Sequence, residues 1–174
     1  MFVKRKRRKK VPPYRRRKYL CTNGEWHFCR KLREAVGNRF EVMMQVRVGS
    51  LLECRAEDWE RLGRRVSQKS FDFVLVRRGT SFAAAVIELD DKTHLLPARR
   101  ARDKFLDDAC RRAGLPLIRF RAAGRYDLQE IRESIRAALP DSYCKVGPGP
   151  ARARPGNSRP PGWVWLIRPS RRNS

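Results

Sequence analysis

Three consecutive segments decide the fold of this chain: FDFVLV (residues 71–76), RRGTS (residues 77–81) and FAAAVIELD (residues 82–90). Two apolar runs rich in Phe, Val, Leu and Ile flank a short polar segment that contains a glycine. This pattern predicts a β-hairpin. The apolar character of both strands further predicts that they lie inside a sheet that is covered on its faces.

The register of this hairpin brings acidic residues together. A hairpin symmetric about Thr80 places Asp72 opposite Glu88. The same symmetry pairs Val74 with Val86 and Val76 with Ala84. Alternation places Asp90 on the same face as Glu88. Opposed carboxylates repel each other, and in an apolar hairpin they are also desolvated, so a divalent cation is the expected remedy. We therefore predict a Mg²⁺ or Mn²⁺ site formed by these three acids.

The roles of the other charged residues that are candidates for the site have two interpretations each. His94 follows the acids closely enough to move a proton, or it is a plain turn histidine. Lys69 and Lys92 either serve the site or form structural ion pairs with the acids, and a register shifted by one residue would separate the acids altogether. Glu25 is a capping-box residue first and a metal ligand second. Arg119 either meets a phosphate or neutralises the acids.

The remainder of the central region alternates between helical and strand patterns. A capping box at Thr22 and Glu25 predicts a helix that ends at Gly37, and the period-two alternation of RFEVMMQVRV predicts a strand. Residues 51–65 favour a short helix or crossover. The predicted order after the hairpin is a helix up to Gly114, the strand LPLIRF and a last helix with Asp127 and Glu130 as its capping box. The predicted core residues are Phe71, Phe73, Leu75, Ile87, Leu117 and Ile118.

The positive charge of the chain is concentrated at its two ends. The 174 residues include 42 Lys and Arg against 18 Asp and Glu, a net charge of +24. Residues 1–18 hold eleven basic residues and no acid, and residues 145–174 hold seven and no acid. Such segments cannot bury apolar surface. We predict a basic disordered arm over residues 1–18, one folded α/β domain over 19–140 and a Pro/Gly/Arg-rich tail over 141–174.

The arm is expected to capture nucleic acid through its phosphates, although a solubility tail has the same composition. In the later tail, two tryptophans either stack on bases or dock on the domain. The predicted nucleic-acid contacts are Lys4, Arg5, Lys6, Arg7, Arg8, Lys9, Lys10, Arg15, Arg16, Arg17, Lys18, Lys69 and Arg119.

Composition excludes several other classes of protein. No apolar run approaches the roughly 20 residues of a membrane span, and the start of the chain lacks the apolar stretch of a signal peptide. Five scattered cysteines without a CxxC pair argue against a disulfide framework or a zinc ribbon. A cytoplasmic, nucleoid-associated protein without a membrane partner is expected.

With FDFVLV, VIELDDKTH, ARRARDKFLDDACRRAG and GLPLIRF in view, the chain resembles the bacterial domain of unknown function 2726. That family is similar to the restriction-endonuclease-like PD-(D/E)XK nucleases, nearest to the very short patch repair endonucleases. The resemblance covers roughly residues 19–139. It implies a three-layer α/β fold with a central mixed sheet, and Mg²⁺-dependent hydrolysis of phosphodiester bonds, with DNA favoured over RNA.

Position by position, the resemblance makes Asp72 the strand acid, Glu88 the acid of the E-x-K element and Glu25 the acid of the first helix. Asp90 stands where that pattern has lysine, so Lys92, Lys69 or His94 would have to supply the missing cation. The competing hypotheses are a nuclease-fold protein that binds DNA or RNA without cutting it, and an accessory subunit whose basic arm holds a nucleoprotein partner.

Overall fold

A computed structural model describes residues 14–58, 62–63, 69–90, 97–140 and 163–165 of the chain. In chain order, its helices and strands are α1 (Asn23–Val36), β1 (Phe40–Arg47), β2 (Glu53–Arg55), β3 (Ser70–Arg77), β4 (Ala83–Asp90), α2 (Pro97–Arg112), β5 (Leu117–Arg121), α3 (Leu128–Ala138) and β6 (Trp163–Trp165).

Four strands form a mixed sheet in the order β1-β3-β4-β5. The pairs β1–β3 and β3–β4 are antiparallel, and β4–β5 is parallel. The parallel pair follows from α2, which carries the chain back across the sheet between β4 and β5, as parallel neighbours require. The predicted α/β class with a mixed sheet is confirmed.

The central hairpin adopts the predicted register over most of its length. Val74 pairs with Val86. On one side of this pair Phe73 pairs with Ile87, and on the other side Leu75 pairs with Ala85. Nearer the turn the prediction is wrong by one residue, because Val76 pairs with Ala83 instead of Ala84. The reason is the closure of the turn, in which the Arg77 N–H donates to the carbonyl of Phe82 at 2.9 Å.

Helices cover both faces of the four-stranded sheet. On one face, α1 and α3 bring Phe28, Leu32 and Ile131 against Phe73 and Ile87. On the other face, α2 packs against the sheet through residues that share a second apolar cluster: Leu106 and Cys110 with Phe71, Val74 and Val86. Helix, sheet and helix therefore form three layers in the described part of the chain.

The predicted core is confirmed with one exception. Phe71, Phe73, Leu75 and Ile87 are fully buried, and Ile118 is nearly so. Leu117 is only half-buried. It lies at the first position of β5, at the margin of the cluster beneath α2.

The predicted capping box of α1 is confirmed, whereas α3 has the predicted N-cap Asp127 with a different backbone partner. The Thr22 hydroxyl accepts from the Glu25 N–H, and the Glu25 carboxylate accepts from the Thr22 N–H at 2.6 Å, which completes the capping box of α1. At α3 the Asp127 carboxylate accepts from the Gln129 N–H at 2.8 Å, one position before the Glu130 that the box pattern predicts.

The region after β1 differs from its prediction. Residues 53–55 form a strand that pairs with Trp163–Trp165, and a single 3₁₀ turn follows at Ala56–Asp58. The expectation of a helix is therefore wrong for residues 53–55, whose partner strand lies more than a hundred residues further along the chain. The two tail tryptophans lie in a strand that pairs with β2. Of the two alternatives predicted for them, stacking on bases or docking on the domain, this pairing corresponds to docking.

Residues 1–13, 141–162 and 166–174 lie outside the described residues, and with them most of the predicted arm and tail. Residues 14–20 contain no helix or strand, and their side chains are exposed. A membrane-spanning helix is not found among the residues that the structure describes.

Candidate functional site

Asp72 and Glu88 lie one residue beyond the last residue pair of the central hairpin. The recorded register ends at Phe73 and Ile87, and one further step places Asp72 beside Glu88. The Asp72 carboxylate reaches across to β4, where its Oδ2 accepts from the Leu89 N–H at 2.9 Å. Glu88 is only 7% exposed. The predicted pairing of these two acids is therefore consistent with the strand geometry.

An irregularity in β1 lies at the same level. Gln45 has a φ of 53°, the left-handed region that non-glycine residues rarely adopt. Its neighbours in β1 pair with residues on either side of Asp72, which places Gln45 opposite Asp72. The Gln45 amide donates to Glu25 Oε1 at 3.1 Å. Backbone strain of this kind is often found at functional sites.

The irregularity changes which face the side chains present. Met44 packs with the cluster under α1, but Val46 packs with the cluster under α2. In β3, Phe73 and Phe71 divide between the same two clusters. Both strands therefore switch faces at this level, since a regular strand would keep such pairs on one side. This switch could not be predicted from the sequence, because the alternation of apolar residues continues unbroken through β1.

Arg119 extends the polar level to the fourth strand. It is the partner of Glu88 in the parallel β4–β5 pairing. Its Nη1 donates to Asp90 Oδ1 at 2.9 Å, and its Nη2 and Nε donate to Asp107 Oδ1 at 2.9 and 3.2 Å. The four strands thus carry, in sheet order, a row of polar residues across an apolar sheet: Gln45, Asp72, Glu88 and Arg119.

The surroundings keep Arg119 charged. Partial burial acts to lower its pKa, but the hydrogen bond to Asp107 and the charges of Asp90 and Asp107 outweigh burial and raise the pKa. The guanidinium is therefore a permanent cation at the site. It cannot accept a proton in a reaction.

Asp90 and Glu25 are already engaged in bonds inside the protein. Asp90 forms its ion pair with Arg119. Both oxygens of Glu25 accept hydrogen bonds, Oε2 from Thr22 and Oε1 from Gln45. Asp72 accepts from the Leu89 N–H in the same way, so all three of these acids have hydrogen-bond partners inside the protein.

Cys110 of α2 lies close to the charged row. Burial raises its pKa to about 12, and the nearby charges of Asp107 and Glu88 act in the same direction. The thiol is consequently neutral at physiological pH, so it is neither a nucleophile nor a ready metal ligand.

The remaining predicted site residues divide into two groups. Lys69 is half-buried immediately before β3, and its carbonyl accepts from the Val48 N–H at 2.9 Å. Lys92 and His94 lie outside the described residues, as do the predicted arm contacts before residue 14. Arg15, Arg16, Arg17 and Lys18 are described and exposed.

The donor set suits a hard divalent cation. Mg²⁺ is commonly held by one or two carboxylates, with water and substrate phosphate completing its shell. Asp72 and Glu88 would provide such a pair of oxygen ligands. A group of three or more His, Cys, Asp or Glu side chains arranged to hold a metal is not found within the described ranges.

Fold and site together define a three-layer α/β protein with Asp72, Glu88 and Arg119 on three neighbouring strands of its sheet. The chain belongs to the family described as "Protein of unknown function (DUF2726)", which it matches over residues 17–139. The resemblance to that family is thereby confirmed. No curated protein and no solved structure matches the chain.

Proposed function

We propose that this protein is a metal-dependent nuclease that hydrolyses phosphodiester bonds, with DNA as the favoured substrate. The proposal is carried by one observation: the Asp72 carboxylate of β3 accepts from the N–H of Leu89, the residue that follows the buried Glu88 in β4. Burying neighbouring like charges opposes folding, so such a pair is a functional-site candidate. Oxygen ligands of this kind favour Mg²⁺ or Mn²⁺.

The order of elements supports a restriction-endonuclease-like fold. A helix, a strand, a hairpin, a helix, a strand and a helix follow one another from α1 to α3, and helices lie on both faces of the mixed sheet. The resemblance to PD-(D/E)XK nucleases assigns Asp72 and Glu88 to the two acids of that motif. Similarity to very short patch repair endonucleases makes duplex DNA a reasonable first substrate to test.

The residues of the site take distinct roles in this proposal. Asp72 and Glu88 would hold the metal ion, which when bound polarises the scissile phosphate and lowers the pKa of a bound water. The Leu89 N–H fixes the orientation of the Asp72 carboxylate. Lys92 and His94 remain the predicted proton acceptors and donors.

Arg119 supplies the positive charge that the sequence pattern lacks. Asp90 occupies the position of the usual lysine, and Arg119 from the neighbouring strand reaches that position through its 2.9 Å bond to Asp90. Three of its five N–H donors bind Asp90 and Asp107. The other two are assigned to the phosphate, whose negative charge increases during hydrolysis.

Arg119→Ala is expected to lower kcat for metal-dependent cleavage by roughly 100- to 1000-fold, the usual cost of one fixed donor at a developing charge. Arg119→Lys should recover part of that loss, because it restores the charge without the planar fork. The measurement is single-turnover cleavage well below the unfolding temperature. Arg121→Ala, an exposed arginine on the same strand, is the control. Wild-type kcat in Arg119→Ala would leave the residue a structural role only.

Deleting residues 1–18 is expected to flatten the dependence of log affinity on log salt concentration. These residues hold eleven positive charges, and each phosphate neutralised on duplex DNA contributes about −0.9 to the slope. The measurement is a salt titration of binding to a fluorescent duplex in chelator. The same slope for both proteins would show that the arm makes no phosphate contacts.

The second candidate is a nuclease-fold protein that binds nucleic acid without cutting it. It is favoured by the aspartate at the lysine position and by the engagement of Arg119 with two carboxylates. Incubation of the full chain with plasmid, single-stranded DNA and RNA, in Mg²⁺, Mn²⁺ or chelator, separates the two functions. Cleavage that needs metal and is lost in Glu88→Gln supports the nuclease, whereas binding without cleavage in any metal supports the second candidate.

A further inference from the structure

Residues 14–20 and the exposed side of α1 lie close together along the chain and combine aromatic with basic side chains. We call these residues the aromatic–basic face. Its apolar members are markedly exposed: Tyr14 is 87%, Tyr19 78%, Leu20 72% and Trp26 49% exposed. These four are all but one of the large hydrophobic residues exposed in the described part of the chain.

Helical spacing extends this face along α1. Trp26, Arg30 and Arg33 are spaced four and three residues apart, so they lie on one side of the helix, and all three are exposed. The Arg33 guanidinium lies 6.0 Å from the centre of the Trp26 ring, within the range of a cation–π contact. The guanidinium lies over one face of the ring, so this contact combines a charge and an aromatic ring at the surface of α1.

The charge of the face is strongly one-sided. Residues 14–33 include seven Lys and Arg and a single acid, Glu25. That acid is used within the protein, where it caps α1 and accepts from Gln45. Of the seven basic residues, Lys31 forms an ion pair with Glu34 at 3.0 Å. Arg15, Arg16, Arg17, Lys18, Arg30 and Arg33 remain to attract an anionic ligand.

From these observations we infer that the aromatic–basic face binds single-stranded nucleic acid. Duplex DNA offers phosphates to the arginines, but its bases are stacked inside the helix and offer no ring to Tyr or Trp. A single strand offers both, and stacking on exposed aromatic rings beside a basic surface is how sequence-tolerant single-strand binding works. Scattered exposed aromatics are ordinary, but this set falls within thirteen residues of the chain.

The inference deepens the proposed nuclease function and rests on it for one step, the path of the strand to the carboxylates. Glu25 precedes Trp26 and accepts from Gln45, which lies opposite Asp72 in the sheet. The face therefore starts at the same level of the sheet as the candidate site. A substrate with a single-stranded segment, such as an overhang, a flap or an unpaired region, would be held along α1, next to the level of the sheet that carries Asp72 and Glu88.

The inference is tested by fluorescence anisotropy of the full chain in chelator, which prevents metal-dependent cleavage. The two labelled ligands are a thirty-nucleotide oligothymidylate and a thirty-base-pair duplex. Trp26→Ala should weaken single-strand binding by about 5- to 150-fold, the range expected from losing one stacked base. Duplex binding should change much less. Trp26→Phe should keep most of the affinity, and Arg33→Ala should lower the salt slope by about 1.

Met43→Ala is the matched control, because Met43 is a large exposed apolar residue of β1 outside the face. Unchanged single-strand affinity in Trp26→Ala and Tyr19→Ala would overturn the inference, and so would an equal loss on single strand and duplex. Competition by polyglutamate that also depends on Trp26 would overturn it in favour of an acidic protein partner.

The single-strand binding inference and the proposed nuclease function can be rejected independently by these experiments. Single-strand binding that depends on Trp26, in a protein that cuts nothing in Mg²⁺ or Mn²⁺, would support the inference and reject the nuclease. Cleavage that is insensitive to Trp26, on every substrate with an unpaired segment, would reject the inference and leave the nuclease standing. Should Trp26→Ala unfold, Trp26→Phe, Tyr19→Ala and Arg33→Ala still decide.

Discussion

Replacing Phe73 with alanine is expected to reduce the free energy of unfolding by about 3 to 5 kcal/mol. Phe73 is 0% exposed at the centre of the sheet, and its ring centre lies 5.4 Å from that of Phe28 in α1. Truncation leaves a cavity between sheet and helix, which adds to the lost transfer energy. Urea unfolding monitored by circular dichroism measures the change.

Met43→Ala provides the comparison on the neighbouring strand. Met43 pairs with Val74 across β1 and β3, yet its side chain is exposed. A change within about 0.5 kcal/mol is expected there, as for most surface positions. A near-neutral effect of Phe73→Ala would mean that this side chain does not lie between sheet and helix.

The hairpin, the helices and most of the core could be predicted from sequence because their signals are local. A capping box needs only Thr22 and Glu25, and the alternation of β1 needs only eight residues. The register followed from the position of the turn, and it failed only near the turn, at Val76, where the closing hydrogen bond sets the local pairing. Local chemistry is sufficient for such elements.

The pairing of β2 with β6 could not be predicted in the same way. The residues of β2, ECR, carry no alternation of their own, and their partner WVW lies in a segment dominated by proline and glycine. Three-residue strands are defined by their partner, and a partner more than a hundred residues away leaves no mark on a short window of sequence.

The candidate site shows the same division. Asp72 and Glu88 were predicted as site residues from the symmetry of the hairpin. The hydrogen bonds of Gln45 to Glu25 and of Arg119 to Asp90 and Asp107 were not predicted. These contacts join β1 to α1 and β5 to α2, so they depend on how elements stack. A backbone irregularity such as that of Gln45 depends on tertiary packing rather than on residue type.

Asp72→Asn is expected to abolish the thermal stabilisation by Mn²⁺ or Mg²⁺ and to reduce cleavage by at least about 100-fold, since even residues that only support metal ligands cost 10- to 100-fold when replaced. An ion at about 100 times its Kd stabilises the wild type by about 2.7 kcal/mol, which the variant should lose. The amide oxygen can still accept from the Leu89 N–H, so the strand contact is retained.

The same variant should be at least as stable as the wild type without metal, because it removes the repulsion between Asp72 and Glu88. Asp108→Asn is the control, since it removes a carboxylate that pairs with Arg111 on the surface of α2. Its response to metal should match that of the wild type. Melting curves of the three proteins with and without Mn²⁺ separate a metal site from an ion pair.

If Asp72 is instead held by Lys69 or Lys92, the substitution will destabilise the metal-free protein and leave its metal response unchanged, because a broken pair leaves one charge uncompensated. That outcome would remove the metal site and favour the protein that binds nucleic acid without cutting it.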